Sequence, residues 1–201
     1  MPLRRLVLKQ TALATLATGV GGVASAFAAA LPRPDAETEF LLRKGGVVIA
    51  FRHALAPGTF DPPQFKLGDC RTQRNLDEQG RAQARRIGEW FRGRELQPTR
   101  VRSSPWCRCL DTAQLAFGQA TPWPALGSPR GTAEATHEPS LRELRAALAS
   151  AARTQVFEVW ITHMFVLSAL TGQGSASGEG LVLQADGKGG VEVLSRLLVP
   201  A

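Results

Sequence analysis

The sequence predicts an α/β fold, a three-layer sandwich in which helices flank a mostly parallel central sheet. Short apolar segments alternate with longer amphipathic ones, as they do in folds built from repeated strand–helix units. The segment Val47–Phe51 is continuously apolar, as is expected of a central strand that is covered on both faces. Composition agrees with a folded domain, because 44% of the residues are hydrophobic and 20% are charged.

Residues 1–30 have the pattern of an export signal. Arg4, Arg5 and Lys9 are followed by an uncharged stretch of mainly small and apolar residues, which ends in Ala-x-Ala triplets suited to a signal peptidase. The arginine pair is similar to the start of a twin-arginine signal. An uncleaved anchor is the alternative, since the uncharged stretch is long enough to span a bilayer. We expect a bacterial periplasmic or secreted protein with a mature domain over 31–201 and no stable membrane insertion after cleavage.

Strands and a closing hairpin are expected along the mature domain. Val47–Phe51 is continuously apolar, and Val156–Thr162 is apolar except for Glu158. Thr99–Ser104 is a weaker strand candidate, since Val101 is its one apolar residue. A glycine-containing turn sequence separates Leu181–Leu183 from Val191–Leu194, which predicts that these two segments pair as a hairpin.

The first predicted helix lies between the first two strands. Asn75 is placed to cap it, with Glu78 three residues further on, and Ala84, Ile87 and Phe91 then recur on one face. This face is expected to pack on the sheet.

Two more helices are expected after the second strand. Ser104 is a candidate N-cap with Pro105 in the first helical position, which predicts a helix that ends near Phe117. Proline and glycine mark 118–139 as a loop, and 140–152 is a helix rich in Ala, Leu and Arg.

Candidate functional side chains follow the strands at the point where each strand ends. Arg52 and His53 come directly after the first strand, His163 follows the third, and Arg108 lies in the first turn of the helix after the second. Open parallel sheets bind ligands outside the carboxyl ends of their strands. Guanidinium groups match phosphate oxygens, and a neutral imidazole can attack phosphorus. The pattern therefore indicates a phosphate site.

Four segments resemble, in order, the motifs of the histidine phosphatase superfamily, also called the phosphoglycerate mutase-like family. Phe51–Ala54 stands where the family has Arg-His-Gly, and Leu76–Ala84 is similar to its Leu-(Ser/Thr)-x-x-Gly-x-x-Gln-Ala. Ser103–Ala113 matches its Ser-Ser-x-x-x-Arg-x-x-x-Thr-Ala, and Val159–His163 matches its second histidine after an apolar strand. These motifs extend over roughly residues 45 to 170.

The resemblance implies a phosphoglycerate mutase-like fold and a histidine acid phosphatase-type reaction, in which a phosphate ester phosphorylates His53 and the phosphohistidine is then hydrolysed. Arg52, Arg108 and His163 would hold the phosphoryl group, and Arg74 is a candidate for a further substrate contact. No metal or other cofactor is implied, and the expected partner is a small phosphorylated substrate. Ala in place of Gly after His53, together with the export signal, resembles the small periplasmic branch that includes lipopolysaccharide-core heptose phosphatases.

A general acid for the leaving group is not marked by any motif. The candidates are Glu134, Glu138, Asp61 and Glu179. A catalytically weak relative that binds phosphorylated glycans or other anions without efficient turnover is therefore the alternative function.

A nucleic-acid or membrane-surface binder is a third function class, suggested by the net charge of +7. Residues 1–30 hold three basic residues and no acid, so the rest of the chain carries only +4. We therefore expect no nucleic-acid partner.

The three cysteines leave two states open. In an oxidising compartment Cys70 could pair with either Cys107 or Cys109, and three free thiols are the other interpretation. The three do not have the paired spacing of a zinc site.

Overall fold

The computed structural model describes residues 35–128 and 137–199. Its helices are α1 (Ala36–Lys44), α2 (Glu78–Arg92), α3 (Cys107–Phe117), α4 (His137–Ala151) and α5 (Met164–Thr171). Its strands are β1 (Val47–Arg52), β2 (Arg100–Ser103), β3 (Thr121–Pro122), β4 (Phe157–Thr162), β5 (Glu179–Ala185) and β6 (Val191–Leu198). Single 3₁₀ turns lie at Cys70–Thr72 and Pro124–Leu126.

The six strands form one sheet in the order β3-β2-β4-β1-β5-β6. β1, β2, β3 and β4 pair in parallel, whereas β5 is antiparallel to β1 and to β6. The predicted closing hairpin is therefore confirmed as β5 and β6. The predicted mostly parallel sheet is confirmed as well, since only β5 runs against the others.

Two hydrophobic layers cover the faces of the sheet. Successive residues of β1 alternate between them: Ile49 packs with the apolar residues of α2 and α3, and Val48 packs with those of α4 and α5. Both side chains are fully buried. This arrangement is the predicted three-layer sandwich, and it explains why a strand covered on both faces is continuously apolar.

The starts of the predicted helices need correction. The side chain of Asp77, not Asn75, caps α2 by accepting the N–H of Gly80 at 2.7 Å, while Asn75 donates to backbone carbonyls of the preceding turn. α3 begins at Cys107, three residues after Ser104, and its N-cap residue is Trp106 without a side-chain cap. The Ser104 hydroxyl instead lies 2.8 Å from Nε2 of His163 and accepts the N–H of Trp106 at 3.4 Å.

The last of the predicted helices begins earlier than expected. α4 starts at His137 rather than at residue 140.

Within 35–128 and 137–199, no helix combines the length and the apolar character that crossing a bilayer requires. The export signal predicted for residues 1–30 lies outside the described residues.

Candidate active site

The order of the central strands brings the predicted site residues together. Because β4 lies between β1 and β2, the carboxyl ends of all three strands meet at one edge of the sheet. The N–H of His53 donates to the Thr162 carbonyl at 2.9 Å, and that of Ser104 donates to Ile161 at 2.8 Å, so the ladder extends to the site itself. His163 follows β4 directly.

His53 is held as a neutral imidazole with its lone pair on Nε2. Its side chain is buried, and Nδ1 lies 2.7 Å from the carbonyl oxygen of Ala54. A carbonyl can only accept, so Nδ1 carries the hydrogen and Nε2 is the acceptor. Burial, followed by the charge of Arg108, holds the pKa of His53 well below its ordinary value of 6.5. Such an imidazole has the protonation state that a nucleophile needs.

His163 has the opposite tautomer. The Nη2 of Arg108 lies 3.5 Å from its Nδ1, and the hydroxyl of Ser104 lies 2.8 Å from its Nε2. Because a guanidinium only donates, Nδ1 is the acceptor and Nε2–H donates to Ser104. Burial, then His53 and Arg108, hold the pKa of His163 well below 6.5.

Arg108 connects the two histidines to a carboxylate. Only 4% of this residue is exposed, and its Nε donates to Nε2 of His53 at 3.2 Å. Its Nη1 and Nη2 donate to the two oxygens of Asp61 at 2.8 and 3.1 Å. The guanidinium therefore uses its forked geometry on a carboxylate in the way that it would on a phosphate.

Two further guanidinium groups line the same cavity. Arg52 donates to the Ser175 carbonyl at 3.0 Å, and Arg74 donates to the Ala56 carbonyl. The Nε atoms of both arginines are buried without a hydrogen-bond partner among the described residues. Burial, then the charge of Arg108, lowers the pKa of each. These cations give the site spare donors for an anion.

The cavity between these groups has a volume of about 470 Å³. Its lining is partly charged and partly apolar. The ionisable groups are Arg52, His53, Asp61, Arg74, Arg108 and His163, and the apolar residues are Phe60, Pro62, Pro63, Phe65, Met164 and Phe165.

Some residues of the family-like segments do not line the cavity but contact the loop that follows His53; they are Gly80, Gln83 and Thr112. The N–H of Ala54 donates to Thr112 at 3.1 Å, and that of Leu55 donates to Gln83 at 2.9 Å. A Cβ at Gly80 would lie 1.8 Å from the Leu55 carbonyl oxygen, so only glycine lets α2 approach this loop. These contacts fix the backbone next to His53 and thereby position its imidazole.

Cys70 pairs with Cys107, which decides between the states that the sequence left open. The bond joins the loop after β1 to the start of α3, next to Arg108. Cys109 is a free, buried thiol, and burial raises its pKa to about 12.

The candidates for the general acid differ in their position relative to the cavity. Asp61 lines the cavity. Glu179 instead pairs with Arg196 at 2.8 Å, and Glu138 lies exposed in the first turn of α4. Glu134 falls outside the described residues. Within the described ranges, no group of three His, Cys, Asp or Glu side chains is placed to hold a metal ion.

Two contacts of this site are not predicted from the sequence. The capping pattern assigns Ser104 to a helix start, whereas the structure shows that Ser104 orients His163; its place in the Ser-Ser motif is the signal that points to a role in the site. The ion pair between Asp61 and Arg108 has no local signal, since 47 residues separate its partners.

A family model of the histidine phosphatase superfamily (branch 1) matches residues 64–147. That range contains Arg74 and Arg108 and neither of the two site histidines. A comparison with curated proteins gives no match.

Several solved structures share the fold. A putative phosphohistidine phosphatase SixA from Agrobacterium tumefaciens is 20% identical, with a TM-score of 0.50, over 76% of this chain and 98% of that one. A phosphoglycerate mutase from Thermus thermophilus is 19% identical, with a TM-score of 0.50, over 76% and 98%. A mycobacterial glucosyl-3-phosphoglycerate phosphatase in complex with VO3 is 16% identical, with a TM-score of 0.50, over 69% and 92%. The architecture is therefore the phosphoglycerate mutase-like α/β fold.

Proposed function

Since the chain resembles the histidine phosphatase superfamily in both sequence and fold, we propose that it hydrolyses a phosphate monoester through a phosphohistidine on His53. One observation carries this proposal. His53 is a buried neutral imidazole that lines the same cavity as three guanidinium groups, and its Nε2 accepts from one of them, Arg108.

In the first step, Nε2 of His53 attacks phosphorus while the bond from phosphorus to the ester oxygen breaks. The ester oxygen takes up a proton and leaves as the alcohol, and the imidazole becomes an N-phosphorylated cation whose Nδ1–H still donates to Ala54. In the second step, the oxygen of water attacks phosphorus, the phosphorus–nitrogen bond breaks and the water gives up one proton, which replaces the proton used in the first step. Inorganic phosphate leaves, and His53 is again neutral. Neither step requires a redox change.

The remaining groups of the site stabilise the transferring phosphoryl group. Arg108 donates to His53 in the free protein, and a phosphoryl oxygen would replace that acceptor. Arg52 and Arg74 supply further donors, and a dianion beside His163 favours its protonated, donating form. Preorganised donors of this kind are worth more in a buried cavity than in water.

Replacement of His53 tests the proposal. We expect His53→Asn to lower phosphate release from phenyl phosphate by roughly 10³-fold or more, because the nucleophile is removed. His137→Asn is the matched control, since His137 lies at the start of α4 and outside the cavity lining. Turnover by His53→Asn within tenfold of the unchanged protein would refute a role as nucleophile.

A second candidate function is anion binding without turnover. The observation that favours it is the state of Asp61: among the described residues it is the one carboxylate that lines the cavity, and in the free protein it is ion-paired with Arg108 instead of being placed as a proton donor. Calorimetric binding of phenyl phosphate by the unaltered chain, with no phosphate released, would support this alternative.

The proposal extends to an exported enzyme of the small periplasmic branch, with the acid phosphatase type of chemistry. Its support is the pattern of residues 1–30 and the disulfide between Cys70 and Cys107, a bond that persists in oxidising compartments. Because burial holds the pKa of His53 well below 6.5, this ring keeps the form of a nucleophile in mild acid. Cell fractionation should recover the protein outside the cytoplasm, and replacement of Arg4 and Arg5 by lysine should retain it inside.

A further inference from the structure

We propose that Asp61 is a catalytic residue, which leaves Arg108 when the phosphoryl group binds and then donates the proton to the leaving-group oxygen. This inference rests on the proposed function. It assigns the proton donor to the loop after β1, in a position that no sequence motif of the chain marks.

The geometry places Asp61 in the cavity that His53 lines, on the same guanidinium that contacts His53. Its side chain is only 13% exposed, and both of its oxygens bind the guanidinium whose Nε contacts Nε2 of His53. The backbone N–H of Arg74 donates to the same carboxylate at 2.9 Å. A single guanidinium thus connects the proposed nucleophile to the proposed acid.

A phosphate ester must compete with this carboxylate. A phosphorus atom within reach of His53 brings phosphoryl oxygens to the N–H groups of Arg108, which Asp61 holds in the free protein. The carboxyl group would then lose its guanidinium donors and lie beside an anion. Both changes favour its protonated form.

The loop that carries Asp61 permits such a displacement. Gly58 and Gly68 enclose it with φ values of 84° and 88°, which suit glycine. Phe60, next to Asp61, is 59% exposed, whereas Phe65 further along the loop stacks on Trp106, so the part that carries Asp61 is the less tightly packed one. No other carboxylate among the described residues lines the cavity, which leaves Asp61 as the acid within reach.

Asp61 loses one proton and regains one in each turnover. Protonated Asp61 gives its proton to the ester oxygen as that oxygen leaves phosphorus, which yields the free alcohol and a carboxylate. In the second step the carboxylate takes a proton from the attacking water, whose oxygen binds phosphorus. The products are the alcohol and inorganic phosphate, and Asp61 is again protonated.

The test compares two leaving groups in Asp61→Asn. Benzyl phosphate releases a strongly basic alkoxide and needs the acid, whereas 4-nitrophenyl phosphate releases a stable phenolate and does not. We expect kcat/KM for benzyl phosphate to fall by roughly 10²- to 10⁴-fold, and that for 4-nitrophenyl phosphate by less than tenfold. Asp61→Glu, which retains an acid, should restore part of the benzyl phosphate activity.

A loss that is equal for both esters would contradict the proposal, because a merely structural role does not depend on the leaving group. Glu138→Gln is the matched control, since this carboxylate is exposed in α4 and outside the cavity lining. A leaving-group-dependent loss in Glu134→Gln instead of Asp61→Asn would also overturn it. If the unaltered protein hydrolyses neither ester, the proposed function fails together with the inference.

Binding of inorganic phosphate provides a second measurement that does not depend on turnover. Because Asp61 competes with the anion for Arg108, we expect Asp61→Asn to bind inorganic phosphate severalfold more tightly by calorimetry. Weaker binding in this variant would overturn the displacement step.

Discussion

Each histidine of the site is fixed in one tautomer by a hydrogen-bond partner that can only accept or can only donate. The Ala54 carbonyl can only accept, so Nε2 of His53 keeps its lone pair, and Arg108 can only donate, so His163 accepts at Nδ1. Both rings are buried beside cations, which lowers the pKa of each. Perturbed titratable groups cluster at functional sites, which agrees with the role proposed for His53.

The neutrality of these rings predicts how stability depends on pH. In the unfolded chain His53 and His163 bind protons below about pH 6.5, whereas in the folded protein they remain neutral until a much lower pH. The free energy of unfolding should therefore fall as pH falls below 6.5, by about 1.4 kcal/mol per pH unit for each ring. Urea unfolding between pH 7.5 and 5.5 measures this slope.

The His53→Asn variant separates this effect from other titrations. With one buried imidazole removed, its stability should fall less steeply over the same pH range. Parallel curves for the variant and the unchanged protein would show that His53 is not buried as a neutral ring.

The loop after β1 and the start of α3 act as one unit. The disulfide joins Cys70 to Cys107, and the Gln73 side chain accepts the N–H of Cys107 at 3.0 Å. Arg108 is the next residue of that helix, and Asp61 lies in that loop. The covalent link therefore holds together the two elements that carry the guanidinium and its carboxylate.

Removal of the disulfide should lower both stability and turnover. For the sequence separation of 37 residues, loop-closure entropy predicts a loss of about 4 kcal/mol in the free energy of unfolding for the Cys70→Ser/Cys107→Ser variant. We expect a lower kcat/KM as well, because Arg108 and Asp61 lose their common anchor. Denaturant unfolding and phenyl phosphate assays measure the two effects.

Dithiothreitol provides the control for this prediction. It should shift the unfolding midpoint of the unchanged protein towards that of the double variant and leave the variant itself unaffected. An unchanged midpoint in the reduced protein would mean that the bond does not stabilise the fold.

Local patterns predict the elements better than their boundaries. The continuous apolar run of Val47–Phe51 identifies β1, and the run interrupted only by Glu158 identifies β4, because strands covered on both faces have little polar surface. Ser104 is assigned to the wrong partner because a local capping rule cannot include His163, which is 59 residues away. β3 has only two residues, too few for any periodicity.

At the scale of the whole molecule, the site depends on which strands are neighbours. Motif spacing locates Arg52, His53, Arg108 and His163, but their meeting requires the order β2-β4-β1, in which the last strand of the three inserts between the other two. That order depends on contacts between distant segments, which periodicity does not contain. The pair of Asp61 and Arg108 is unpredictable for the same reason.

Transfer of the phosphoryl group to His53 can be detected directly. We would mix the purified protein with phenyl phosphate, quench in alkali within milliseconds, and locate phosphorylation by mass spectrometry. We expect an acid-labile phosphoryl group on His53, absent from His53→Asn and present in His137→Asn. A phosphoryl group on another residue, or phenol released at an unchanged rate by His53→Asn, would contradict it.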